Sequence, residues 1–306
     1  MRSGRAHALA VFFLSVILCA EPFARIGRAA EGPYSPESIL SFTRHLVSSH
    51  EFYRAHAELQ RLSSFSPGYL DPASLHISSL HLLIKGRRFE EALGSAPVAA
   101  SGTARCLDGI FRTDAALSLT RLEGIPGLLG DADFCGELAM FRWKRLFAGS
   151  LLANDQKGAR ALLDSGVFPA DIEGGKERFQ AMISWSEKRY ATMTDPSLAL
   201  FAGAVPGLGY AVAGNRPTGV VALIVVTVFS SLTVAAFRTD NAPLGIVLGS
   251  AATFFYGGSV LGGYLEAKKQ NRLVLEGIRE GIIDDAGLED DRDRLFERYG
   301  LRRRMP

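Results

Sequence analysis

The chain has 306 residues, 47% hydrophobic and 22% charged, with a formal net charge of +2. Residues 196–237 hold one charged side chain, Arg216, whereas 266–306 carry ten acidic and ten basic ones. This asymmetry argues against a purely soluble protein, the near-neutral balance against a nucleic-acid binder with a basic face, and the apolar content against a disordered chain.

Arg2 and Arg5 precede an uncharged run at 6–20, apolar at its centre, and Glu21-Pro22 follow. A basic start, a short apolar run and a small residue read as a secretory signal over 1–20, cleaved after Ala20, with Ala29 or Ala30 as alternative sites. The run rises only about 20 Å as a helix, against a bilayer core of about 30 Å. An uncleaved anchor is the other reading. A lipoprotein signal needs a small residue before Cys19, and Leu18 is not small. Export removes Cys19 and leaves Cys106 and Cys135. In an oxidising compartment these permit one bridge, worth roughly 3–4 kcal/mol by loop closure; two separate buried thiols are the alternative. The six histidines include no i,i+4 pair and no Cys-x-x-Cys accompanies them, so no metal and no cofactor is expected.

Residues 21–194 read as an exported, all-helical domain. Ser35-Pro36-Glu37 starts a helix with a hydroxyl cap, a proline at the first position and an acid in the first turn. Ile39, Phe42 and Leu46 fall on one face, and 51–62 repeats the pattern with Phe52, Ala55, Leu59 and Leu62 before Pro67. The short link at 48–50 predicts an antiparallel pair.

At these residues the segment resembles a tetratricopeptide repeat, in which large first-helix residues interlock with a small second-helix residue and a proline closes the pair. Ile39, Phe42 and Leu46 take the first-helix places, and Ala55, Leu59, Leu62 and Pro67 the second-helix ones; Thr43 is larger than the family prefers. Weaker copies follow at 85–93, where Phe89 and Ala92 echo Phe52 and Ala55, and around Trp143 with Ala159. An irregular helical bundle is the competing reading. The resemblance implies protein binding, with a groove lined by Glu37, Leu40, Arg44 and Val47; a merely solvated face is the alternative.

Gly174-Gly175-Lys176 lacks the remainder of a phosphate loop and turns the chain into a helix over 176–193. Phe179, Met182, Ile183 and Tyr190 are expected to face inward there, although Trp185 and Tyr190 also suit a bilayer surface.

Residues 195–265 read as a three-helix membrane module. The stretches 218–237 and 243–265 are long enough to span, while 198–214 is shorter and interrupted by Pro206, Gly207 and Gly209. It is either a kinked span or a re-entrant hairpin, which survives only if neighbours satisfy its freed backbone groups. Lys268, Lys269 and Arg272 after the last span favour three crossings and a cytoplasmic helical tail over 266–306. Gly203 and Gly207 in the first segment, with Gly245, Gly249, Gly258 and Gly262 in the last, form small-xxx-small pairs. They predict packing of the first span on the third, or homo-oligomers through the same face. Pro206-Gly207-Leu208-Gly209 with Gly214 also resembles a Pro-Gly-x-Gly-Gln-x-Tyr-x-Gly signature of small bacterial membrane domains. Tyr210 here replaces the Gln and Val212 the Tyr. That resemblance implies architecture only.

In the tail, Leu273, Leu275, Ile278, Ile282, Leu295 and Phe296 continue a helical pattern, and the basic run 302–304 is either a docking point or solvated. No nucleophile elbow, phosphate loop or dinucleotide fingerprint is present, so no enzyme is expected. The leading expectation is an adaptor tethered to the bacterial inner membrane, its N-terminal domain periplasmic, binding an envelope protein or peptide. The alternatives are a structural subunit of an envelope transport or assembly complex and, more remotely, a lipid- or small-molecule-binding domain.

Overall fold

The computed structural model describes residues 34–97, 102–130, 135–165 and 175–301. The expected signal segment with Cys19, Gly174 and the basic run 302–304 lie outside the described residues. Those residues form fourteen α-helices and no strand.

The first four helices are α1 (Pro36–Ser48), α2 (Phe52–Phe65), α3 (Pro72–Lys85) and α4 (Phe89–Gly94). Then come α5 (Thr103–Ser118), α6 (Ile125–Leu129), α7 (Ala139–Leu152), α8 (Gln156–Asp164) and α9 (Gly175–Tyr190). Ser35 caps α1 by accepting from the Ser38 amide at 3.1 Å, and Asp71 caps α3 in the same way through Ser74 at 2.9 Å. A proline follows each cap, pre-set for helical φ and lacking an amide that would otherwise be orphaned.

The pairs α1–α2, α3–α4 and α7–α8 share one turn. His50, Arg87 and Asn154 are left-handed, with φ of 60°, 58° and 57°. The next amide then donates back to Leu46, Leu83 and Ser150 respectively, at 2.8–2.9 Å. This Schellman-type closure satisfies end carbonyls and offsets the roughly 1–3 kcal/mol of left-handed backbone strain. Five residues after each left-handed residue stands a fully buried alanine: Ala55, Ala92 and Ala159. A methyl side chain there lets the two helices of each pair approach closely.

The inward face of α1 differs from the expected one. Ile39, Leu40, Thr43 and Leu46 are buried, while Phe42 is 40% exposed and stacks on His45. The buried stripe has turned towards Leu40 and Val47, because Leu82 and Leu301 pack into the same core. Thr43 tolerates burial by donating its hydroxyl to the Ile39 carbonyl at 2.8 Å.

Beyond α9 come α10 (Pro196–Ala202), α11 (Leu208–Val212), α12 (Arg216–Arg238), α13 (Ala242–Asp285) and α14 (Leu288–Tyr299). Only α12 and α13, among the described residues, are long and apolar enough to cross a membrane. The expected first span at 198–214 is therefore not one helix but two short ones, broken at 203–207. Helix α13 rises about 66 Å, twice a bilayer core, and its second half is polar.

The chain forms two compact units, 34–112 with 293–301 and 113–292. In the first, Leu301 joins the core and donates its amide to Ser78 Oγ at 2.9 Å. His81 stacks flat on Phe296, with centroids 3.9 Å apart, and Lys85 pairs with Asp293 at 2.8 Å. In the second, the rings of Trp143, Phe147 and Phe179 meet at 5.0–5.3 Å. Ile278 and Ile282 of α13 are fully buried, and α13 packs on α7 and α9. Arg145, at 0% exposure, grips Asp114 through two 2.8 Å bonds, and Lys144 reaches Asp291 at 2.9 Å.

This differs from the expected separate tail over 266–306. Ile278 and Ile282 in the second unit and Leu295 in the first are buried, and Leu301 packs on the core formed by α1, α2 and α3. Each unit thus combines residues from before and after α12.

Replacing Arg145 by Met leaves Asp114 buried beside the more distant Arg292, 3.8 Å away. The expected loss is about 3–5 kcal/mol in a thermal or denaturant melt, with most of it regained in the Asp114→Leu/Arg145→Met double variant.

Candidate functional site

Of the four expected groove residues, Leu40 is 1% exposed and belongs to the core. Glu37 accepts the Tyr69 hydroxyl at 2.9 Å, which ties α1 to the turn before α3. Val47 is partly buried, and Arg44 alone is open to solvent. Arg44 and Val47 line a surface cavity of about 260 Å³ with Phe296, Glu297, Gly300 and Leu301. The groove is thus largely filled by the end of the same chain. The remaining cavity lies below the roughly 300 Å³ at which small-molecule pockets begin.

The six expected packing glycines divide. A Cβ on Gly203 would meet the Val260 backbone at 2.9 Å, and one on Gly207 would sit 2.0 Å from the Gly219 carbonyl. Gly207 also has φ +82°, which L side chains rarely adopt. Gly245 and Gly249 pack against Phe237 and Thr233 of α12 rather than on the first segment. Gly262 receives Tyr210, while Gly258 has nothing within 4 Å. Gly209, Gly219 and Gly263, not singled out from the sequence, complete the tight contacts: Gly209 lies against Ala199 and Gly263, and Gly219 against Gly207.

Polar side chains close the break between α10 and α11. Ser259 accepts the Gly207 amide at 2.9 Å, and Tyr256 donates to the Ala204 carbonyl at 3.1 Å. At the other end Asn271 exchanges two bonds with the Thr194 backbone, at 3.0 and 2.8 Å. Asn215 donates to Glu266 at 3.2 Å. Ser259 is one of two serines, with Ser250, in the glycine-rich stretch 243–265, and it faces the Pro206-Gly207 break.

Cys106 and Cys135 are both disulfide-bonded. The histidine nearest to chemistry is His76, whose Nε2 lies 2.6 Å from Asp108. Arg112 also holds Asp108, at 2.8 Å, and spends its remaining donors on the Leu93 and Ser95 carbonyls. Burial pushes the Asp108 carboxyl up, but the bonds from His76 and Arg112 outweigh it and hold its pKa below the ordinary value. This cluster clasps the end of α4 to α5. Among the described residues no group of three or more His, Cys, Asp or Glu is arranged to hold a metal ion. Tyr190 donates to the Leu151 and Leu152 carbonyls, and Trp185 packs on Gly281, so both work inside the helical packing.

Compared with known proteins, the chain matches no family model, no curated protein and no solved structure.

In detergent, Gly207→Ala and Gly203→Val should lower the melting temperature markedly, whereas Gly258→Leu should shift stability by no more than about 0.5 kcal/mol. Asp108 gives a pH dependence of known sign. Its depressed folded-state pKa contributes stability that is complete above the unfolded carboxylate value of about 4 and is lost as pH falls through the folded value. Acid titration of the melting temperature should show this loss, and Asp108→Asn should flatten it.

Proposed function

We propose that the chain is a membrane-embedded, non-catalytic scaffold of the bacterial inner membrane whose exported helical units bind another envelope protein or peptide. The observation that carries this reading is that both units are completed by residues from beyond the membrane helices. One or three crossings would put those residues on the far side; two crossings, by α12 and α13, keep them together. The expected cytoplasmic tail is accordingly replaced by a tail on the same side as the helical units.

The bonded Cys106 and Cys135, with the signal-like N-terminus, favour the periplasm for that side. Lys268, Lys269 and Arg272 pull the other way, but a charge bias yields to a covalent bond that a reducing cytoplasm would open. The shared turn and buried alanine of the three helix pairs support the tetratricopeptide-like resemblance and the protein-binding role it implies. The buried charges serve as clasps: Arg145, Arg112 and Lys144 spend their donors on internal partners. The contact surface now centres on Arg44 and the cavity beside it rather than on Glu37 and Leu40.

The structural membrane subunit is retained as a second reading because Gly257 and Gly258 face open space beside exposed Phe254 and Leu261. Photocrosslinking in intact cells from position 44 and, separately, position 258, with mass spectrometry of the adducts, distinguishes the two. A discrete adduct from position 44 is the expected outcome. Adducts from position 258 alone would move the function into the membrane, and a product of twice the chain mass there would mean self-assembly.

A further inference from the structure

The segment 196–214 is too short and too broken to cross a bilayer, yet its surface is apolar. Helices α10 and α11 have seven and five residues and rise about 10 and 8 Å, against a hydrocarbon core of about 30 Å. They run antiparallel. Ala199 near the start of α10 and Ala213 just after α11 meet in one cluster with Ala267. Both ends of the segment are pinned to the polar part of α13, five residues or about 7.5 Å apart: Thr194 to Asn271, and Asn215 to Glu266. The tip is pinned at another level of α13, with Ala204 bonded to Tyr256 and Gly207 to Ser259.

From Tyr256 to Glu266 is ten residues of continuous helix, about 15 Å, or half the hydrocarbon thickness. Glu266 and Lys268 begin the charged part of α13, so the two ends of the hairpin lie where the apolar part stops. We propose that 196–214 is a re-entrant hairpin inserted into one leaflet only, the leaflet on the side of the helical units, and that its ligand is the acyl-chain layer of that leaflet. The proposal rests on the membrane reading above.

Two independent features support lipid as the occupant. Leu198, Phe201, Val205 and Leu208 project outward and are 45–77% exposed, while Ala199, Gly203, Gly207 and Gly209 are buried. Large apolar side chains outward and small ones inward suit a hydrocarbon surround rather than water. The second feature is the break itself. The amides of Gly203, Ala204, Val205 and Leu208 donate to Ala199, Phe201, Ala202 and Val205 at 3.0–3.1 Å, Pro206 has none, and Gly207 uses Ser259. Water would satisfy such a turn at no cost; hydrocarbon cannot, and an unpaired amide there costs several kcal/mol. Ser259, 4% exposed in an otherwise apolar stretch, meets that demand.

The consequence is an asymmetric cross-section. Helices α12 and α13 cross both leaflets, and the hairpin adds its volume to one. It is wedged in place by Gly207 against Gly219 and Gly203 against Val260. The module therefore displaces more lipid from the leaflet on the side of the helical units than from the other.

The test uses the full chain in a Cys19→Ser background without reductant, so that Cys106 and Cys135 stay disulfide-bonded, with one cysteine introduced at 205, 240 or 298. It is reconstituted in phosphatidylethanolamine–phosphatidylglycerol vesicles after its resistance to carbonate extraction is established. Exposed Arg298 and Asp240 report the two aqueous sides. The expected result is that Val205→Cys is protected from an impermeant maleimide on both sides, and that a fluorophore there is quenched most by nitroxides midway down the acyl chain. Asp240→Cys and Arg298→Cys should react from opposite sides. Reaction of Val205→Cys from the Asp240 side would mean a full crossing, and reaction from the Arg298 side a segment lying in water; either overturns the hairpin. Extraction of the protein by carbonate would instead overturn the membrane reading on which the hairpin rests.

Discussion

A guanidinium removed from water has to be paired, and Arg145 is completely buried. Its partners come from both ends of the sequence: Asp114 takes two bonds, and the Leu288 carbonyl lies 3.4 Å away. Arg292 shares Asp114 at 3.8 Å, and Lys144 next to Arg145 holds Asp291. Residues that precede the membrane helices are thereby bound to residues that follow them. The apolar stripe of Ile278 and Ile282 reinforces the same joint. Under the membrane reading proposed above, satisfying these charges requires the chain to return to the side it left, which makes the number of crossings even. The membrane topology proposed above is thus a consequence of charge desolvation in the helical unit.

A second constraint follows from the membrane reading proposed above: inside a bilayer the backbone groups of the apolar segment would find no water. Helices α12 and α13 satisfy theirs internally. The hairpin cannot, and the remedy is local: short reverse turns, a proline without an amide, and the hydroxyls of Ser259 and Tyr256 supplied by α13. Glycines at 203, 207, 209, 219 and 263 remove the side chains that would hold these groups out of reach. Close approach and hydrogen-bond closure are one design feature, since each hydroxyl can serve the hairpin only if the backbones touch.

The groove that resembles a peptide-binding face is filled from within. Leu301 takes a place in the core with Leu40, and Phe296 lies flat on His81. The part left open beside Arg44 and Glu297 combines charge with the apolar side chains of Val47 and Leu301. The shape of this cavity depends on the position of α14, which lines it.

Local chemistry determined the helices. Ser35-Pro36 and Asp71-Pro72 start them, the apolar spacing of Ala55, Leu59 and Leu62 sets their inner face, and the uncharged runs around 218–237 and 243–265 mark the two membrane-length helices. Capping, periodicity and length are properties of adjacent residues, so the sequence alone carries them. It also carried the break at Pro206-Gly207 and left open whether that segment crosses or returns. Which side of α1 is buried, the loss of Leu40 and Glu37 from the groove, the open position of Gly258, and the placing of Leu301 in an N-terminal core were decided by tertiary structure. Each depends on a partner distant in sequence, and a stripe of apolar or small residues states that it has to be covered without stating by what.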